Sequence, residues 1–154
     1  MRARSGAGTR LRLEGFVPFR LNRLAAGVSG HLAEIYRGPL ALEVPEWRVM
    51  ATVGERGGCT AQQIVASTRM HKTRVSRAIA QLLRRRLIAR LPSPGDRRER
   101  PLRLTGAGRR MYARLVPLAL ARERALLGCM SRGELRGFVT GLARLEESLG
   151  LKNR

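Results

Sequence analysis

Aromatic residues are scarce in this 154-residue chain: three Phe, two Tyr and one Trp, 4% of the total. Its core must therefore be built mostly from Leu, Val, Ile and Ala. Cysteine is nearly absent. Cys59 and Cys129 are the only two, far apart in sequence, which leaves a single disulfide open but gives no disulfide framework and no zinc-binding spacing. Long apolar runs are missing too. The longest, Leu115 to Ala121, has seven residues and contains Pro117, against roughly 18–20 for a membrane span. The first fifteen residues carry Arg2, Arg4, Arg10 and Arg12 but no apolar stretch, so a secretory signal is not expected and the cytoplasm is the expected address. Acidic residues number only eleven, and of the 31 basic residues only Lys72 and Lys152 are lysines.

What is present is a formal net charge of +20 with 44% hydrophobic residues. The hydrophobic fraction is that of a globular chain, and the length suits one domain with an oligomerising appendage. A GC-rich coding bias accounts for Arg in place of Lys. It does not account for the excess over acids, which implies self-repulsion unless a polyanion lies close. Nucleic acid is the commonest such partner.

Along the chain, residues 1–15 read as a flexible basic arm. From Pro18, Leu21, Leu24, Val28, Leu32 and Ile35 recur at helical spacing to about Tyr36, and Gly38-Pro39 ends the pattern. A second helix is expected from Pro45, with Glu46 suiting its dipole, to Gly57-Gly58. Thr60-Ala61-Gln62-Gln63 is a capping box for a short helix reaching about Ser67. A turn leads into a helix over 71–86. Val75, Ile79, Leu82 and Leu83 make one face of it, and Thr73, Arg74, Arg77, Gln81 and Arg84 the other. Short helix, turn and cationic helix are the layout of a helix-turn-helix. Residues 87–91 and 101–105 then read as two short strands around the turn signal Pro94-Gly95-Asp96, a wing. Thr105 is a cap for a helix running to about Gly128 and containing Pro117. Ser131 and Glu134 form another capping box, followed by the stripe Leu135, Phe138, Val139, Leu142, Leu145 and Leu149. The fold class is thus mainly α with a small β-hairpin. The expected divisions are a 1–15 arm, a 16–44 dimerisation helix and linker, a 45–105 winged helix-turn-helix, 106–150 dimerisation helices and a 151–154 tail.

Residues 69–100 hold eleven basic residues and two acids, a net +9 in a fifth of the chain. A solvated basic face is the plainer reading. The functional one is that this charge meets DNA, because it coincides with the recognition helix and wing. Arg and Lys there would neutralise phosphates, while His71, Lys72, Thr73, Arg74 and Arg77 are placed to reach major-groove base edges. Arg97 or Arg98 would enter the minor groove, with Asp96 orienting a guanidinium or simply starting the turn. One helix-turn-helix buries too little surface for a specific site. The first and the last two helices have apolar faces wider than one small winged domain can cover, so a homodimer joined by both chain ends is expected. Closure into an intramolecular bundle is the alternative.

The ordered segments Trp47-Arg48-Val49-Met50, Thr60 to Ile64, Lys72 to Arg77, Leu87 to Arg90, Asp96-Arg97-Arg98 and Leu102-Arg103-Leu104-Thr105-Gly106-Ala107-Gly108 resemble the MarR family of bacterial transcriptional regulators, over roughly residues 16–150. The resemblance implies a winged-helix homodimer on double-stranded DNA with a pseudo-palindromic operator. It most often implies a repressor released by a small aromatic or anionic ligand. It assigns Thr73, Arg74, Ser76 and Arg77 to the recognition helix, Arg97 and Arg98 to the wing, and an Asp96–Arg90 pair to the hairpin. His71 stands where the family commonly has Ser or Asp, which weakens the cap expected there and introduces a pH-dependent phosphate contact. The opening Phe16 to Leu24 with Pro45 to Arg48 resembles a branch responding to aromatic acids or aromatic acyl-CoA thioesters.

Phe19, His31, Tyr36, Trp47 and Arg48 are the candidate ligand contacts, an apolar set with few polar groups; such aromatics are more often plain core. Cys59 precedes a helix cap, where the dipole would lower its pKa, and Cys129 is expected to be buried. There is no phosphate loop, metal cluster or catalytic constellation, so neither enzyme nor cofactor is expected. The rival to a regulator is a non-specific architectural DNA- or RNA-binding protein.

Overall fold

The computed structural model describes residues 10–92 and 100–151. After a 3-10 turn at Leu13–Gly15, the chain forms α1 (Val17–Ala33), α2 (Arg37–Leu40), α3 (Val44–Arg56), α4 (Ala61–Thr68) and α5 (Lys72–Arg84). Strands β1 (Ile88–Arg90) and β2 (Leu102–Leu104) follow, then α6 (Gly106–Leu127) and α7 (Arg132–Ser148). This is a mainly α winged helix-turn-helix.

The capping signals act where expected. Thr60 Oγ1 accepts from the Gln63 amide at 3.2 Å and Gln63 returns a bond to the Thr60 amide at 2.9 Å. Ser131 and Glu134 reciprocate in the same way at the start of α7. Thr105 Oγ1 accepts from the Gly108 amide at 3.0 Å, opening α6, which then runs unbroken through Pro117.

Three local readings are corrected. The first helix stops at Ala33, and Gly38-Pro39 lies inside α2 rather than ending a helix. Pro39 is tolerated because α2 is one turn long, where its missing N–H has no partner to lose. The hairpin also has a third contributor. Cys59 bridges Leu102, with the Cys59 amide 3.1 Å from the Leu102 carbonyl and the return bond at 2.8 Å. Cys59 is therefore buried, whereas Cys129 is exposed, not buried as expected.

The core lies within the winged lobe. Val49, Met50 and Val53 of α3 meet Ile64 of α4, Val75, Ile79 and Leu82 of α5, and Ile88 and Leu102 of the hairpin, all buried. Each such side chain contributes about 1.5–3 kcal/mol on burial. Leu115 of α6, Tyr36 and Leu42 complete the cluster. The terminal helices differ sharply. α7 buries no residue, and Leu21, Leu24, Leu118, Leu120, Phe138, Val139, Leu145 and Leu149 all stand exposed in the protomer. Exposure of several large apolar side chains together is characteristic of interaction faces.

Candidate nucleic-acid interface

α5 is strongly two-faced. Val75, Ala78, Ile79 and Leu82 are buried, and Lys72, Thr73, Arg74, Ser76, Arg77 and Arg84 are exposed. The spacing Arg74, Arg77, Arg84 puts three guanidinium groups on one side of the helix. None of Lys72, Arg74, Arg77, Arg84 and Arg90 pairs with a carboxylate among the described residues. Lys72, Thr73, Ser76 and Arg77 line an open groove of about 630 Å³ together with Gln62 of α4 and Arg90 of β1. Arg90 is thus brought beside the recognition helix by the hairpin. Gln62 was missed in the sequence because the capping box explained it without reference to a surface. Asp96, Arg97 and Arg98 lie outside the described residues.

His71 corrects the weakened-cap expectation. It is the N-cap of α5, and its Nδ1 accepts from the Thr73 amide at 3.3 Å, in the role of a hydroxyl or carboxylate oxygen. Its side chain stands at the exposed start of the helix.

Arg85 and Arg86 belong to the basic run by sequence but not to this face by contact. Arg85 donates to the Ala41 and Leu40 carbonyls at 2.6 and 2.8 Å. Arg86, at φ 55°, turns the chain out of α5, and its carbonyl accepts from Thr105 Oγ1 at 2.7 Å.

The candidate ligand residues are divided by the fold. Tyr36, Trp47 and Arg48 line a cavity of about 360 Å³ with Ser29, Leu32 and Phe138. Arg48 Nη2 lies 3.3 Å from Ser29 Oγ. Tyr36 stacks on Trp47 with centroids 5.7 Å apart, and Trp47 on Tyr112 at 6.5 Å. Burial pushes the Tyr36 phenol above its ordinary pKa, opposed by Arg48 and Arg37, so it stays neutral. His31 and Trp47 line a second cavity of about 640 Å³ that shares Leu24, Val28 and Phe138 with the first. At its rim His31 Nε2 sits 3.5 Å from Arg122 Nη1, and Arg122 pairs with Glu34 at 3.4 Å. Phe19 lines neither cavity; it lies under the Arg23 guanidinium, 5.7 Å from ring centroid to Cζ. Phe138 and Leu142 were unforeseen as cavity walls, since only the return of α7 alongside α1 puts them there.

Cys59 is corrected in sign. Burial pushes its thiol up, with Arg56 only partly opposing, whereas its place before a helix cap had suggested a lowered value. Its backbone pairing with Leu102 is what buries it.

A model of the MarR family matches residues 42–99, which include α3, α4, α5 and β1 and end before β2. The chain is thus similar to the MarR family over that segment, and to solved MarR-family regulators over most of its length. A probable transcriptional regulator from Pseudomonas aeruginosa is 27% identical, covering 87% of this chain and 99% of its own, with a TM-score of 0.73. A MarR/EmrR family transcriptional regulator from Acinetobacter sp. ADP1 is 21% identical over 92% and 100%, at a TM-score of 0.82. BpsR of Bordetella bronchiseptica, whose DNA binding is regulated by 6-hydroxynicotinic acid, is 22% identical over 89% and 97%, at 0.76. No curated protein sequence matches the chain. No helix among the described residues is long and apolar enough to cross a membrane.

Proposed function

We propose that this protein is a homodimeric, sequence-specific DNA-binding transcriptional regulator, a repressor released by a small aromatic or anionic ligand. The observation that carries the reading is the outer face of α5. Lys72, Thr73, Arg74, Ser76 and Arg77 are exposed, cationic and polar, and unpaired with carboxylates among the described residues, on a helix anchored by a buried opposite face. Such a face releases counterions on meeting phosphates and has the donors to read base edges. Arg84 and Arg90 supply phosphate contacts at its margins, and His71 stands at the entering end. Asp96, Arg97 and Arg98 carry the wing role by resemblance. The lobe spans 45–105, flanked by the dimerisation segments 16–44 and 106–150.

The exposed apolar faces of α1, α6 and α7 support pairing with a second copy, which buries them and sets two recognition helices one turn of DNA apart. The cavities at Tyr36, Trp47, Arg48 and His31 lie where α1 and α7 meet α3 of the lobe. A ligand preferring one lobe position there lowers DNA affinity by its differential affinity for the two states. The BpsR precedent supports an aromatic acid as the ligand class.

The test is selection of binding sites from random duplex DNA by the full-length protein. A regulator enriches one pseudo-palindrome and prefers it to random sequence by about 10³-fold or more. Enrichment of no sequence, with tight salt-sensitive binding throughout, would identify an architectural protein instead. Aromatic acids and their CoA esters titrated against the operator complex then test release; retention of the complex against all of them removes the effector reading.

A further inference from the structure

The winged lobe joins the terminal helices through two chain crossings, and both are gripped at one place. The first is the corner between α1 and α3. There Ala41 adopts φ 49°, a left-handed conformation that an L-residue rarely holds without support. Arg85, capping the end of α5, supplies that support. Its Nη1 donates to the Ala41 carbonyl at 2.6 Å and its Nη2 to the Leu40 carbonyl at 2.8 Å, while Glu46 lies 3.9 Å from Nη1. From the other side, the Tyr36 carbonyl accepts from the Leu40 and Leu42 amides, both at 3.2 Å. The second crossing is Thr105, at the start of α6. Its Oγ1 donates to the carbonyls of Arg86 and Leu87 at 2.7 and 3.2 Å, and its amide to Leu87 at 3.0 Å. Residues 85–87 therefore hold both connections of the lobe, immediately after the recognition helix.

We infer that Arg85 is a positioning residue, not a DNA contact: its forked grip on Leu40 and Ala41 sets the angle of the recognition helix on the terminal helices, and so the half-site spacing the dimer accepts. This rests on the regulator reading above. The fork needs a planar guanidinium with two diverging donors, which the single ammonium of lysine does not reproduce. Arg84, one residue earlier, makes no such bond among the described residues and carries the phosphate role. The corner also begins at Tyr36, which stacks on Trp47 in the cavity wall, so the same strut links cavity and recognition helix.

The experiment uses the full-length protein and an operator selected by the wild type from random DNA. Affinity is measured across salt concentrations for that operator and for versions lengthened or shortened by one base pair between half-sites. Each such change rotates one half-site by about 34°. Wild type, R85K, R85Q and R84A are compared, with active concentrations set by stoichiometric titration. R85K and R85Q are expected to bind the best operator about tenfold more weakly, an ordinary coupling magnitude, and to lose most of the spacing preference with the salt slope unchanged. R84A, which removes one phosphate contact from each protomer, should lower the slope by about two and keep the preference. R85K matching wild type while R85Q loses salt slope would make Arg85 a phosphate contact and overturn the inference. Variants that only melt earlier, with spacing preference intact, overturn it equally. A wild-type protein that selects no two-fold sequence overturns the regulator reading and this inference with it.

Discussion

Adding one methyl group at Gly108 should destabilise the lobe far more than its size suggests. A Cβ built there runs into the Leu87 carbonyl oxygen and lies 2.9 Å from its carbon. The obstacle is backbone, so no rotamer change relieves it. That oxygen already accepts from the Thr105 amide and hydroxyl, and the Gly108 amide is the donor to Thr105 Oγ1 at 3.0 Å. Relieving that overlap must therefore stretch both the helix cap and the junction with the hairpin. Overpacking of this kind costs about 1–3 kcal/mol, and loss of a Thr cap about 1 kcal/mol. A Gly108→Ala penalty of about 3 kcal/mol is a large share of the ~5–15 kcal/mol that holds an ordinary domain. In thermal unfolding followed by circular dichroism, at fixed protein concentration, Tm should fall by about 6–12 °C. Gly106→Ala is the control. Its Cβ would lie 3.6 Å from the Arg110 guanidinium, an ordinary contact, and no loss is expected. A Gly108→Ala protein within about 0.5 kcal/mol of wild type, below the smallest term above, would refute the packing argument for the Leu-Thr-x-x-Gly segment.

Other outcomes follow from the same geometry. Arg77→Ala should relax base preference at one position of each half-site, by about 1–3 kcal/mol per position, read from a panel of substituted duplexes; uniform weakening would instead mark Arg77 as a phosphate contact. Val139→Glu puts a charge on an α7 face that buries nothing within the protomer. Sedimentation should show monomers while the lobe still melts cooperatively; an intact dimer would move the interface elsewhere. A thiol-reactive dye should label exposed Cys129 rapidly and buried Cys59 only on unfolding, and equal rates would contradict the hairpin pairing. Because the folded Cys59 thiol titrates above its ordinary value near 9, its contribution to stability is intact below that value. The contribution is lost as pH rises through the folded value, since the unfolded chain ionises first. Relative to Cys59→Ala, wild type should therefore lose stability more steeply on the alkaline side in urea titrations at graded pH.

Much of this molecule was legible in its sequence because the deciding interactions are short in range. Thr60 with Gln63, Ser131 with Glu134 and Thr105 with Gly108 each span three residues, so spacing alone located three helix starts. The two faces of α5 follow from 3.6-residue periodicity, which separates Val75, Ile79 and Leu82 from Arg74, Arg77 and Arg84 without knowledge of the partners. The excess of apolar face on the terminal helices over what one lobe can bury is legible in the same way, and the protomer leaves that face exposed. What folding decided were contacts between residues distant in the chain. Cys59 is buried only because Leu102 pairs with it. Arg85 leaves the basic face only because Leu40 and Ala41 arrive beneath it. Phe138 shares a cavity lining with Trp47 only because α7 folds back toward α1. Periodicity describes one element at a time, whereas the protonation of a thiol or the employment of a guanidinium depends on which other element comes to lie against it.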